Sequence, residues 1–172
     1  MGVRLYAYVG PADILAKYHD CKPGCPVLSA SDVLSWWNAN PDAEDGVGCC
    51  VATYVVDRHG VLRIADRRSE HIACSGGDSA VRAAGEIWFE RNSGNGVRVT
   101  LVSNYSTGFC PDLPSWVALE DVLARAGLPH PTTFTRGIIF RKCPGCGQRN
   151  VVKDGFYFCG VCEAALPEEY NF

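Results

Sequence analysis

No apolar run in this 172-residue chain approaches the length of a membrane span. Met1-Gly-Val-Arg-Leu-Tyr has no basic segment followed by an apolar stretch and a cleavage site, so no signal peptide is read there and a cytoplasmic protein is expected. Positive charge is not in excess either. A formal net charge of −3 and a pI near 5.8 give no general attraction to nucleic acid or to an anionic membrane. Internal repeats, low-complexity tracts, paired catalytic carboxylates and a recognisable catalytic motif are all missing. What remains is ordinary in composition, with 47% hydrophobic and 20% charged residues, which fits a folded chain with one good core and room for a small appended module.

Cysteine is the residue in excess, with ten in the chain. Four of them form Cys143-Pro-Gly-Cys146 and Cys159-Gly-Val-Cys162, two C-x-x-C pairs separated by twelve residues. Each pair makes a tight knuckle, and the span between is long enough for a hairpin, so four thiolates at this spacing suit one tetrahedral Zn²⁺. Val151 and Val152 read as a strand, Asp154-Gly155 as a two-residue turn with positive φ, and Phe156, Tyr157 and Phe158 as the returning strand. The pattern looks like a zinc ribbon, residues 141–172 including its tail. Four sulfur ligands leave no open coordination position, so the metal is expected to supply folding energy rather than chemistry. In a reducing compartment disulfides are disfavoured for these cysteines. His19, Cys21 and Cys25, completed by Cys49 or Cys50, have the chemistry for a second zinc site; the alternative is a loop with buried thiols.

The rest of the chain, 1–140, reads as one α+β domain with a mostly antiparallel sheet and about three helices. Strands are expected at Leu5–Val9, at Cys50–Val56 with Val61–Ile64, and at Val81–Glu90 with Val97–Ser103, the last two pairs as hairpins. Helices are expected at 12–18, after a Ser29/Asp32 capping box, and over Pro114–Ala126, where Gly127 supplies a left-handed cap. Residues 19–26 read as loop. A further strand, Phe134–Phe140, leads into the ribbon with almost no linker, so the ribbon is expected to pack on the main domain.

Two loops at strand ends, 69–77 and 104–112, share glycine, serine and cysteine. They offer His71, Ser75, Asn104, Ser106 and Thr107 as binding residues. They also offer His71, Cys74 and Cys110 as the parts of a Cys/His catalytic pair, in which Asn104 would orient the imidazole. His71, Gly76-Gly77, Ala83-Ala84-Gly85, Ser103, Ser106, Gly108 and Pro111 loosely resemble a module of plant IQ-motif calmodulin-binding proteins and of bacterial relatives. The resemblance covers residues 71–127 and implies a shared β-rich fold with two facing loops. The module's second loop carries a histidine where this chain has Phe109, and its calmodulin-binding segment has no counterpart here.

Glu86 reads either as a general base or as an ion-pair partner of Arg63, Arg67 or Arg82. Three functional classes follow. The chain is read first as a module binding a protein or a small-molecule ligand through the two loops. A hydrolase or transferase using the same loops is the alternative. The weakest reading is nucleic-acid binding through Arg136, Arg141, Lys142, Arg149 and Lys153 with Phe156 and Tyr157, against which stand the overall acidity and Glu163, Glu168 and Glu169.

Overall fold

The structure is a computed structural model that describes residues 4–94 and 96–172. Met1 to Val3, within the stretch read above for a signal peptide, and Asn95, in the turn between the Val81 and Val97 strands, lie outside the described residues. In chain order the elements are β1 (Tyr6–Ala7), α1 (Ala12–Lys17), β2 (Cys25–Val27), α2 (Ala30–Ala39), β3 (Cys49–Asp57), β4 (Leu62–Asp66), α3 (His71–Cys74), β5 (Ala80–Arg91), β6 (Val97–Val102), α4 (Trp116–Arg125), β7 (Ile139–Lys142) and β8 (Arg149–Val152). Among the described residues the fold is α+β, with antiparallel sheets, four short α-helices and a C-terminal cluster of four cysteines.

The main sheet runs β1-β5-β3-β4-β2, and β6 pairs with β5 beyond the stretch that β1 occupies. β3 is buried along almost its whole length because both faces of the sheet are covered. On one face Cys50, Ala52, Tyr54 and Val56 share a core with Trp37 of α2 and with Leu119, Val122 and Leu123 of α4. On the other, Val55, Val81 and Ala84 meet Ile72 and Cys74 of α3 and Phe109 of the loop 104–112. Full burial of a Leu or Val side chain stabilises by roughly 1.5–3 kcal/mol, so α4 is held mainly by its apolar stripe rather than by helix propensity. Its end follows the expected rule: Gly127 takes φ 65° and the Leu128 N–H returns to the Leu123 carbonyl. At the start of α2, Asp32 Oδ2 accepts the Leu28 and Ser29 N–H groups, and these bonds hold its carboxyl below the usual range.

Four expectations differ from the structure. Residues 25–27 are a strand and not loop: β2 is an edge strand, where Pro26 forfeits no hydrogen bond that the sheet requires. His71–Cys74 is a helical turn, which makes a fourth helix. Residues 134–138 are largely irregular, bonded to the end of β6 through Thr135 and Arg136 but pairing with it only at the Ser103–Arg136 bridge, and the strand begins at Ile139. In the ribbon, β8 pairs with β7 across the first knuckle, whereas Phe156–Phe158 makes only isolated bridges. The Asp154-Gly155 turn does take positive φ at both residues, 52° and 70°.

Candidate metal centre and the paired loops

β7 and β8 bring the first knuckle, Cys143–Cys146, against the second, Cys159–Cys162. The four Sγ atoms all lie within 4.8 Å of one another. Cys143 and Cys162 are 3.5 Å apart, and Cys146 and Cys159 3.7 Å. A tetrahedral Zn²⁺ with Zn–S bonds of about 2.3 Å requires sulfurs about 3.8 Å apart, so the donor set fits such an ion. Backbone N–H groups point at the two buried sulfurs, Cys143 and Cys159, as they should for thiolates. The Cys146 N–H, with help from Gly145, holds the Cys143 thiol below its ordinary pKa; the Cys162 and Val161 N–H groups do the same for Cys159, at about 6. Cys143 and Cys159 are buried beside Val152 and Leu166, while Cys146 and Cys162 face outward. The cluster is thus consistent with a structural metal such as Zn²⁺.

The C-terminal tail folds back along β7 and reaches the main sheet through Tyr170. Arg141 is buried, with its guanidinium donating to the carbonyls of Pro167, Glu168 and Phe140. Asn171 exchanges hydrogen bonds with the backbone N–H and carbonyl of Lys142, at 2.9 and 2.7 Å. Tyr170 lies edge-on to Tyr6 of β1, at 5.7 Å between ring centroids.

The loop 104–112 forms the socket for this attachment. Asn104 is fully buried; its Nδ2 donates to the carbonyls of Pro111 and Ile138, and its Oδ1 accepts the Ile138 N–H. Arg149 of β8 donates to the Thr107 carbonyl, and Tyr105 stacks on Phe140 of β7. Ser106 is buried with Oγ accepting the Phe109 N–H, and Cys110 is held in the left-handed region, φ 43°, by its N–H to the Ser106 carbonyl. The loop 69–77 packs on the same small core, through Ile72 and Cys74 against Phe109. Ser75 donates to the Ile72 and Asp78 carbonyls. Gly85 lies between the loops, and any Cβ there would overlap the Ser103 carbonyl.

The candidate catalytic groups are not paired with one another. His71 turns Nε2 onto the Gly85 carbonyl at 3.0 Å, and desolvation lowers its pKa to about 4. Burial pushes the Cys74 and Cys110 thiols up to about 12; their sulfurs face the Arg63 and Thr107 carbonyls respectively. Glu86 is half-buried on β5, but Arg63 pairs with Asp57 and Arg82 sits on the Arg58 carbonyl. Among the described residues no ion pair reaches Glu86. His19, Cys21, Cys25, Cys49 and Cys50 are not brought together: the ribbon cysteines are the only such group of three or more ligands among the described residues. Of the basic residues, Arg136 lies over Trp88, and Arg141 and Arg149 are engaged with backbone carbonyls. Asn150, whose side chain reaches Cys159 Sγ and the Gly160 N–H, has no local signature in the sequence.

Comparison of the chain with protein-family models, with curated proteins and with solved structures found no match. The resemblance of residues 71–127 to the plant and bacterial module therefore assigns no family. No helix among the described residues is long and apolar enough to cross a membrane.

Proposed function

We propose that the chain is a zinc-stabilised binding module that takes a protein or small-molecule ligand on the outward rim of the loops 69–77 and 104–112, without turning it over. Zn²⁺ is the metal of choice for four thiolates in tetrahedral array, and the closed sulfur set gives it a folding role. The observation that carries the binding reading is how the two loops distribute their side chains. Their thiols and amide face inward, whereas Tyr105, at 44% exposure, and Thr107 face outward from a backbone fixed on three sides. A partly exposed aromatic on a rigid frame contributes contact area at little entropic cost. Against turnover, a nucleophile needs a thiolate and a base within reach, and the thiols here are raised while the imidazole is committed to a carbonyl.

The test combines capture with thiol labelling. Zinc-loaded protein should retain a ligand from cell extract, and Tyr105→Ala with Thr107→Arg should reduce that retention at least about tenfold while leaving the fold intact. With maleimide at neutral pH, Cys74 and Cys110 should label more slowly than Cys21, Cys25 and Cys49. Rapid, selective labelling of Cys74 or Cys110 that His71→Ala abolishes would replace this reading with a cysteine enzyme.

A further inference from the structure

Asn150 occupies the middle of the hydrogen-bonded strand β8, yet its side chain serves the metal centre. Nδ2 lies 3.6 Å from Cys159 Sγ and 2.9 Å from the Gln148 carbonyl, which also accepts the Cys143 N–H at the start of the first knuckle. Oδ1 accepts the Gly160 N–H of the second knuckle at 3.0 Å. One amide thus joins the second knuckle to the carbonyl that closes the first, and the two Asn150 contacts to the second fall on a ligand and on the residue after it. Cys159 also receives the Val161 N–H at 3.4 Å, so the side chain adds a donor to a sulfur that the backbone already serves.

We infer that Asn150 is a positioning residue of the zinc site: it fixes the separation of the two knuckles and draws negative charge from the Cys159 thiolate. The inference rests on the zinc reading. Four thiolates around one Zn²⁺ leave a net charge of −2, which N–H donors to sulfur disperse, and donors that orient a ligand are commonly worth about 10–100-fold in metal affinity. A carboxamide suits the task because it is a donor and an acceptor on one rigid plane. A carboxylate keeps the acceptor for the Gly160 N–H but has no donor for sulfur, and it adds charge of the wrong sign.

The experiment measures metal affinity by competition with a chromophoric chelator, alongside the Co²⁺-substituted protein, in the full chain. Asn150→Ala should weaken zinc binding about 10–100-fold, and Asn150→Asp at least as much, although the aspartate can still accept from Gly160. In the Co²⁺ form the sulfur-to-metal charge-transfer band should move to lower energy in both variants, because a thiolate relieved of a donor is easier to oxidise. Main-domain stability, read from α4 and the main sheet, should stay unchanged and so excludes a general folding defect. Asn150→Asp with wild-type affinity and an unmoved band would overturn the inference. Failure of the unsubstituted protein to bind zinc or Co²⁺ in tetrahedral geometry would instead overturn the zinc reading beneath it.

Discussion

His71 shows how one buried contact shapes the pH response. In the unfolded chain its imidazole titrates near 6.5, whereas in the fold desolvation brings the value to about 4. Between these values the unfolded state binds more protons than the folded one, so stability rises with pH across the window. The contribution is complete above about pH 6.5 and falls away as pH drops toward 4. The gap of roughly 2.5 pKa units corresponds to about 3 kcal/mol. Urea midpoints between pH 4 and 7 should fall with acidification in the unsubstituted protein, and His71→Gln should flatten that dependence; an unchanged slope would mean that the imidazole is not desolvated. Asn104 matters for a different reason. Asn104→Ala removes both sides of a buried amide exchange, leaving the Ile138 N–H and two carbonyls without partners. A loss of about 2–4 kcal/mol is expected, or a fall in Tm of about 4–16 °C for a chain of this size, measurable by thermal unfolding.

Among the elements, those with local signatures were legible in the sequence. The β3–β4 and β5–β6 hairpins, α4 with its Gly127 cap and the Asp154-Gly155 turn each follow from residues within one window. The four metal-site cysteines were legible for the same reason, since two short spacings carry the pattern. β2 was not, because Pro23, Gly24 and Pro26 are loop-formers everywhere except at a sheet edge. The pairing of β7 with β8 was hidden as well: Phe156–Phe158 has the better β-formers, but tertiary context chose Ile139–Lys142. For the loops the sequence supplied candidates but not their orientation. Whether Cys74 or Ser106 faces a cleft or a core depends on Phe109, Ile72 and the ribbon, which local spacing does not encode. Zinc should support the ribbon elements selectively. Chelation should therefore erase amide-exchange protection in β7, β8 and residues 157–166, while β3 and β5 keep theirs. Simultaneous loss across both sheets would contradict this, because it would make the metal a keystone of the whole fold.

At the scale of the molecule, most of the pairing is remote in sequence. β5 receives β3 along nine residue pairs, and it takes β1 and β6 as further neighbours on its other edge. Tyr6 pairs with Val81, and its ring is met by that of Tyr170. The contact between the two tyrosines has a consequence for biosynthesis. A chain emerging from a ribosome presents Tyr6 before either partner: its strand partner arrives some 75 residues later and its aromatic partner only after both knuckles have been made. Until Val81 arrives that segment is an unpaired strand, a state in which nascent chains seek other edges. The contact of Tyr6 with Tyr170 is therefore made late, and it fastens the tail that follows the four-cysteine cluster onto a strand whose sheet partner is already in place.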